Sequence, residues 1–261
     1  MHAQPSEKIY GELESVSALA QALDGVDVLF HAAGLAHARG PSRAELTRVN
    51  VEWPQILAAE TAKRGIRFVH LSTSKVYGES GKFTEASEPS PADDYAKAKA
   101  AAETAVRRAN PAALIFRMPP VYGPGSKGSF RALVSAVRRG WPLPLGRIEA
   151  KRSYLYASVL FEAAEFLLGR GESGIWNVTD DHDISLCDLV REIAQAMDRK
   201  PRLINAPPAV LRLLLSVRSG LYEKLAGTFT LDTSRLKTAG FHTSVDFGTG
   251  LRDAVRSGNL L

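Results

Sequence analysis

Apolar runs and helical periodicities alternate along the first half of the chain. VDVLFHAAG (26–34) is an apolar run that ends in small residues. IRFVHLSTSKVYG (66–78) is a second run leading into a polar loop, and AALIFRMPPVYGPG (112–125) is a third, stopped by prolines. Runs of this kind, without polar alternation, predict strands buried on both faces. Between them, residues 43–64 carry apolar positions at helical spacing apart from Pro54, and residues 94–109 are rich in Ala, Glu, Lys and Arg. Strand, helix, strand, helix predicts crossover units and an α/β fold, with a doubly wound parallel sheet covered on both faces.

After about residue 124 the pattern changes: Pro and Gly are frequent and helical spacing dominates. SFRALVSAVRRG (129–140) predicts a helix stopped by Gly140, SVLFEAAEFLLGR (158–170) another, and GIWNV (174–178) a short strand. SLCDLVREIAQAMDR (185–199) predicts an amphipathic helix capped by Ser185. PPAVLRLLLSVRSGLYEKL (207–225), with Arg212 and Arg218, reads either as a membrane-surface helix or as a lobe helix with Pro in its first turn. Its few charges, with no polybasic cluster beside them, favour the lobe helix. The expected division is a sheet domain over 1–124 and a smaller, mostly helical lobe over 125–261, with some chain crossing back.

Composition narrows the function classes. With 45% hydrophobic and 23% charged residues in 261, the chain is globular rather than disordered. No apolar run approaches the roughly 18 residues of a membrane helix, and the polar start MHAQPSEKIYG is no secretory signal. The lone Cys187 excludes an internal disulfide and a multi-cysteine metal site. A cytoplasmic protein with no metal, membrane or nucleic-acid partner is expected. The net charge of +5 is spread along the chain rather than gathered in a stripe, and suits an anionic small ligand.

The chemistry centres on Tyr95 and Lys99 in DDYAKAKAAAE. Four residues apart on a helix, they share one face, and Asp93 or Asp94 is a good N-cap. A neighbouring ammonium is expected to lower the Tyr95 pKa and so fit it for acid/base work on a hydroxyl or carbonyl. Thr73 lies at the carboxyl end of a predicted parallel strand, the edge where open α/β sheets bind ligands. The small residues after VDVLFH allow a ligand close to the backbone. Asn50 sits at mid-helix, where Asn is mildly disfavoured.

The series DVLFHAAG, VN, FVHLSTSKVYG, YAKAK and RMPPVYGPG resembles the extended short-chain dehydrogenase/reductase family, the NAD-dependent nucleotide-sugar epimerases and dehydratases. The later stretches KRSYLY, PPAVLRLLL and LDTSRLKTAGF are similar to the branch of bacterial UDP-sugar 4-epimerases and UDP-4-keto-sugar reductases of surface-polysaccharide synthesis. The resemblance implies a Rossmann-like sheet, NAD or NADP as cofactor, and a nucleotide-sugar substrate. It implies Tyr95 as acid/base, Lys99 on the nicotinamide ribose, and Thr73 on the reacting oxygen. Ala32, Ala33, Gly34, Asn50, Leu71, Ser72, Pro119 and Val121 would line the cofactor. Ser74, Ser129 and Arg152 would face the substrate, with Arg152 toward the diphosphate. A homodimer through helices 43–64 and 94–109 is also implied, and Ala100, Ala101, Ala102 and Ala105 would permit close approach.

Several positions depart from the family pattern. Ser74 and Lys75 stand where sugar 4,6-dehydratases carry an acidic pair, which argues against dehydration. Ala96 and Ala98 replace a family glycine and serine. No G-x-x-G-x-x-G turn is present, and GELES (11–15) resembles a family motif that normally lies some fifty residues in. The expectation is a family member lacking its first βαβ segment, through a misassigned start or genuine shortening, with the buried-type strand at 26–34 left with an open edge. A chain starting at Met1 is then expected to bind NAD weakly, since that turn supplies the pyrophosphate site. A non-catalytic nucleotide-sugar binder or scaffold, and a reductase of a non-nucleotide carbonyl, remain alternatives.

Overall fold

The computed structural model describes residues 19, 21–35, 42–126, 128–215 and 225–257. GELES (11–15) and Arg218 lie outside these. In chain order the first half forms β1 (Val28–His31), α1 (Arg43–Thr47), a π-helical turn (Arg48–Glu52), α2 (Trp53–Arg64) and β2 (Arg67–Thr73). A 3-10 turn (Ser74–Tyr77), β3 (Gly81–Phe83), α3 (Asp94–Ala109), β4 (Leu114–Met118) and β5 (Val121–Tyr122) follow. The second half forms α4 (Gly128–Arg138), β6 (Lys151–Arg152), β7 (Leu155–Tyr156), α5 (Ala157–Gly169), β8 (Gly174–Asn177), β9 (Ile184–Ser185) and α6 (Leu186–Ala196). It ends with α7 (Pro208–Leu215), β10 (Phe229–Leu231), α8 (Ser234–Thr238) and α9 (Phe247–Arg256).

The main sheet runs β1-β2-β4-β8, every pair parallel. Its central strands β2 and β4 bury both faces, as their unbroken apolar runs require. On β2 and β4, Phe68 and Ile115 join Leu57, Ala58 and Val106 from the helices of one face. Val69, Leu114 and Phe116 join Val159, Ala163 and Leu167 of α5 on the other. Among the described residues β1 is an edge strand, and its Phe30, 36% exposed, meets Phe161 of α5, 59% exposed.

The expected helix over 43–64 is three pieces rather than one. Ser42 caps α1 with a full capping box, the chain widens into the π-helical turn around Asn50, and α2 ends on Gly65 at φ +67°. That left-handed conformation costs glycine little. Helix α3 matches its expected span: Asp93 caps it by accepting the Ala96 N–H at 2.7 Å, and Arg107 and Arg108 sit in its last turn.

A second core joins α4, α6 and α9 through Val134, Val137, Leu189, Val190, Ile193 and Leu251. Two features cross position 124: β8 extends the main sheet, and a small sheet in the order β3-β10-β6-β9 ties β3 to three strands of the second half. No helix among the described residues is long and apolar enough to cross a membrane. No cluster of His, Cys, Asp or Glu among them could hold a metal ion.

Candidate active site

The site forms at the carboxyl edge of the main sheet. Strand β2 ends at Thr73, whose hydroxyl accepts the Lys75 N–H at 3.3 Å and caps the 3-10 turn. Helix α3 starts against that turn. Lys75 Nζ lies 3.5 Å from the Asp93 carboxylate and 5.7 Å from the centre of the Tyr95 ring. Lys75 thus neighbours both residues, Thr73 through its backbone N–H and Tyr95 through its ammonium.

Lys99, one turn along α3, is buried. Its ammonium donates to the Leu71 carbonyl at 2.6 Å and lies 3.2 Å from His70 Nε2. His70 Nδ1 in turn lies 3.1 Å from His31 Nδ1 on the neighbouring strand. Burial lowers the Lys99 pKa to about 8 despite the Glu103 charge one further turn along. The expected lowering of the Tyr95 pKa is not found. Burial first, and the Asp93 carboxylate second, raise it. The reason is geometric: the Lys99 ammonium turns toward the sheet, and no hydrogen bond joins it to Tyr95 among the described residues.

Below this layer a buried network fastens α3 to the sheet. Ser72 Oγ donates to Glu103 at 2.5 Å, and Arg117 of β4 meets the same carboxylate through Nη2 at 2.6 Å and Nε at 3.1 Å. Arg117 also stacks 4.6 Å from the Tyr77 ring centre, and the Tyr77 hydroxyl donates to Asn177 at 2.9 Å. Ser72 thus serves this network rather than an open surface.

Asn50 is buried, and the structure explains its unusual place in a helix. Its side-chain oxygen accepts the Leu35 N–H at 2.8 Å and its amide donates to the Leu35 carbonyl at 3.2 Å. It pins the loop after β1, where Ala32, Ala33 and Gly34 are exposed. A Cβ on Gly34 would stand 3.2 Å from the Asn50 oxygen, so glycine lets the loop and helix close together. This exposed run of small residues fits the approach of a flat ring to the backbone. Leu71 is half-buried, Pro119 is buried, and Val121 is exposed at the start of β5.

A cleft of about 150 Å³ opens beside α3, lined by Ser74, Lys75, Gly78, Glu79, Ala92, Asp93, Ala96, Pro120, Arg152 and Phe229. Arg152 reaches it from β6. Its Nη2 donates to the Gly227 carbonyl at 3.3 Å, its guanidinium lies 6.0 Å from the Phe229 ring centre, and its Nε is buried with no hydrogen-bond partner. A larger cleft of about 440 Å³ lies nearby in the second lobe, between Arg147–Ala150, Ala206, Leu211, Ala226 and Thr228. Ser129 is exposed in the first turn of α4 and lines neither cleft.

His31, His70, Glu103 and Arg117 were not among the residues singled out from the sequence. A signal existed for the histidines: each interrupts an otherwise apolar strand run, VDVLFHA and FVHLS, and the two are register partners across β1 and β2.

A parallel α/β sheet with a cleft at its carboxyl edge is the architecture of nucleotide-binding enzymes. The chain belongs to the NAD dependent epimerase/dehydratase family, whose model matches residues 2–179. It is 30% identical over 245 residues to the UDP-glucose 4-epimerase of Vibrio cholerae, covering 87% of this chain and 75% of that protein. It is also 30% identical over 211 residues to the ceramide reductase of Caulobacter vibrioides, covering 78% of this chain and 61% of that protein. The crystal structure of UDP-glucuronic acid 4-epimerase from Bacillus cereus, in complex with NAD, superposes with a TM-score of 0.73 at 19% identity, covering 92% of this chain and 76% of that one. At that identity the likeness shows the fold.

Proposed function

We propose that the chain acts on a nucleotide sugar as a 4-epimerase or 4-keto reductase, with NAD or NADP as hydride carrier. The observation that carries this reading is a cleft lined by Lys75 and by Arg152, whose Nε has no partner, beside the 3-10 turn that Thr73 caps and the first turn of α3 that carries Tyr95. The cofactor supplies the hydride acceptor or donor. The exposed Ala32–Gly34 run and the Lys99 ammonium would hold its nicotinamide end. Tyr95, kept protonated by burial and by Asp93, holds a proton at its hydroxyl for a keto oxygen. Thr73 orients that oxygen, and Arg152 binds the diphosphate, for which a planar guanidinium fork is suited.

The test compares the parent chain with Tyr95→Phe, both extended upstream by a Gly-rich βαβ segment, on UDP-glucose, UDP-galactose and a UDP-4-keto sugar with NAD(P)H. Tyr95→Phe is expected to cut turnover by about two orders of magnitude or more. Near wild-type turnover would remove Tyr95 from the mechanism. A reductase consumes one NAD(P)H per turnover and an epimerase none, which separates the two activities.

The similarity to a ceramide reductase favours a second reading, reduction of a non-nucleotide carbonyl. Turnover of a ceramide-class carbonyl with none of the nucleotide sugars would establish it. A homodimer through the helical segment 43–64 and α3 is also proposed, with a smaller contact than the alanine run suggests. Ala102 is already buried within the chain, and Ala100 packs against the Val76 and Tyr77 cluster.

A further inference from the structure

Two buried histidines remain without a role in this chemistry. His70 of β2 and His31 of β1 stack with ring centres 5.2 Å apart and meet through their Nδ1 atoms at 3.1 Å, while His70 Nε2 faces Lys99 Nζ at 3.2 Å. The protons in this chain can be placed by elimination. A lysine ammonium only donates, so His70 Nε2 accepts. His70 then carries its proton on Nδ1 and donates to His31 Nδ1, which leaves the His31 proton on Nε2. Both rings are neutral, since burial and the Lys99 charge depress both pKa values, that of His31 to about 4.

We infer that His70, locked in one tautomer by His31, is the positioning residue that keeps the Lys99 ammonium charged and aimed. Leu71 O and His70 Nε2 take two of its three protons and leave one for the site. This deepens the reading of Lys99 given above and rests on it. The other groups facing Lys99 are accounted for. Glu103 lies one turn along the same helix and is held by Ser72 and Arg117. Tyr95 lies one turn back. Lys75, on the 3-10 turn, is exposed and engaged by Asp93. Arg43, Glu45, Arg48 and Glu52, on the helical segment packed against α3, stand at exposed positions, and on α2, also packed against α3, Glu60 is paired with the exposed Lys63 at 2.6 Å and Arg64 is exposed.

Removing an acceptor from a buried ammonium disfavours its charged form, so the Lys99 pKa falls. The measurement is a titration of the lysine Cε resonances in 13C-labelled protein without cofactor, with Lys99 assigned by its loss in Lys99→Met. In His70→Phe the Lys99 midpoint is expected to drop by about one pH unit, a tenfold change in its proton affinity. In His70→Gln, whose side-chain oxygen can accept in place of Nε2, the midpoint returns toward wild type. His31→Phe frees the His70 tautomer and moves the midpoint the same way by less. An unchanged midpoint in folded His70→Phe, or in His31→Phe should the first variant not fold, overturns the inference. A merely structural histidine would alter stability without the Gln rescue of the titration. Because no substrate or cofactor enters the measurement, its failure is distinct from failure of the Tyr95 assay.

Discussion

Lys99 carries an ionisation that stability measurements can read. Its pKa falls from 10.5 to about 8 because folding removes the ammonium from water. The unfolded chain therefore binds more protons than the native one between pH 8 and 10.5. Stability from this group is least below pH 8 and rises as pH climbs through that window. The difference amounts to about 3 kcal/mol, at 1.36 kcal/mol for each pH unit. Urea unfolding of wild type and Lys99→Met at several pH values should show the variant's relative advantage shrinking by about that amount as pH rises. Parallel curves would mean that Lys99 titrates near its ordinary value. Reading the sequence places Tyr95 and Lys99 on one helix and Thr73 at the end of a parallel strand, because helical spacing and an apolar run are local facts. It misses the sign of the Tyr95 shift, which depends on where the Lys99 side chain turns and on how deeply the phenol is buried.

At the scale of elements, α3 is the part that must not slide, since it carries both Tyr95 and Lys99. Glu103 on α3 and Arg117 on β4, each 4% exposed, fix its register against the sheet. Breaking a buried ion pair by removing one partner leaves the other charge unpaired, at a cost of about 3–5 kcal/mol. Glu103→Leu is expected to lose stability on that scale, and adding Arg117→Met to recover most of it. Additive losses in the double variant would show that the pair contributes only packing. The boundaries of α3 are legible in the sequence because Asp93, the alanine-rich interior and the terminal arginines all agree. The π-helical turn is not, because it depends on a tertiary contact, the two bonds from Asn50 to the backbone of Leu35.

For the whole molecule, the parallel sheet and its two-sided burial follow from the unbroken apolar runs. The small sheet joining β3 to β10, β6 and β9 does not, since strands of two or three residues carry no periodicity. That small sheet brings Arg152 from the second half to the cleft beside α3. Burial lowers the Arg152 pKa, and its buried Nε has no partner. An unpaired buried donor is a cost to the free protein that an anion would relieve. Arg152→Leu should therefore weaken UDP binding. A charge-assisted hydrogen bond contributes about 1.5–3 kcal/mol, and each 1.4 kcal/mol is about tenfold, so the expected loss is roughly 10- to 150-fold. Stability should be unchanged or slightly raised, because the same change removes an unsatisfied buried group. Arg152→Lys should rescue binding only in part, as it restores the charge without the planar fork. Calorimetric titration of UDP into the three proteins, with thermal unfolding alongside, reads both quantities. Equal UDP affinity in Arg152→Leu would move the anion site elsewhere, with Lys75 in the same cleft as the next residue to replace.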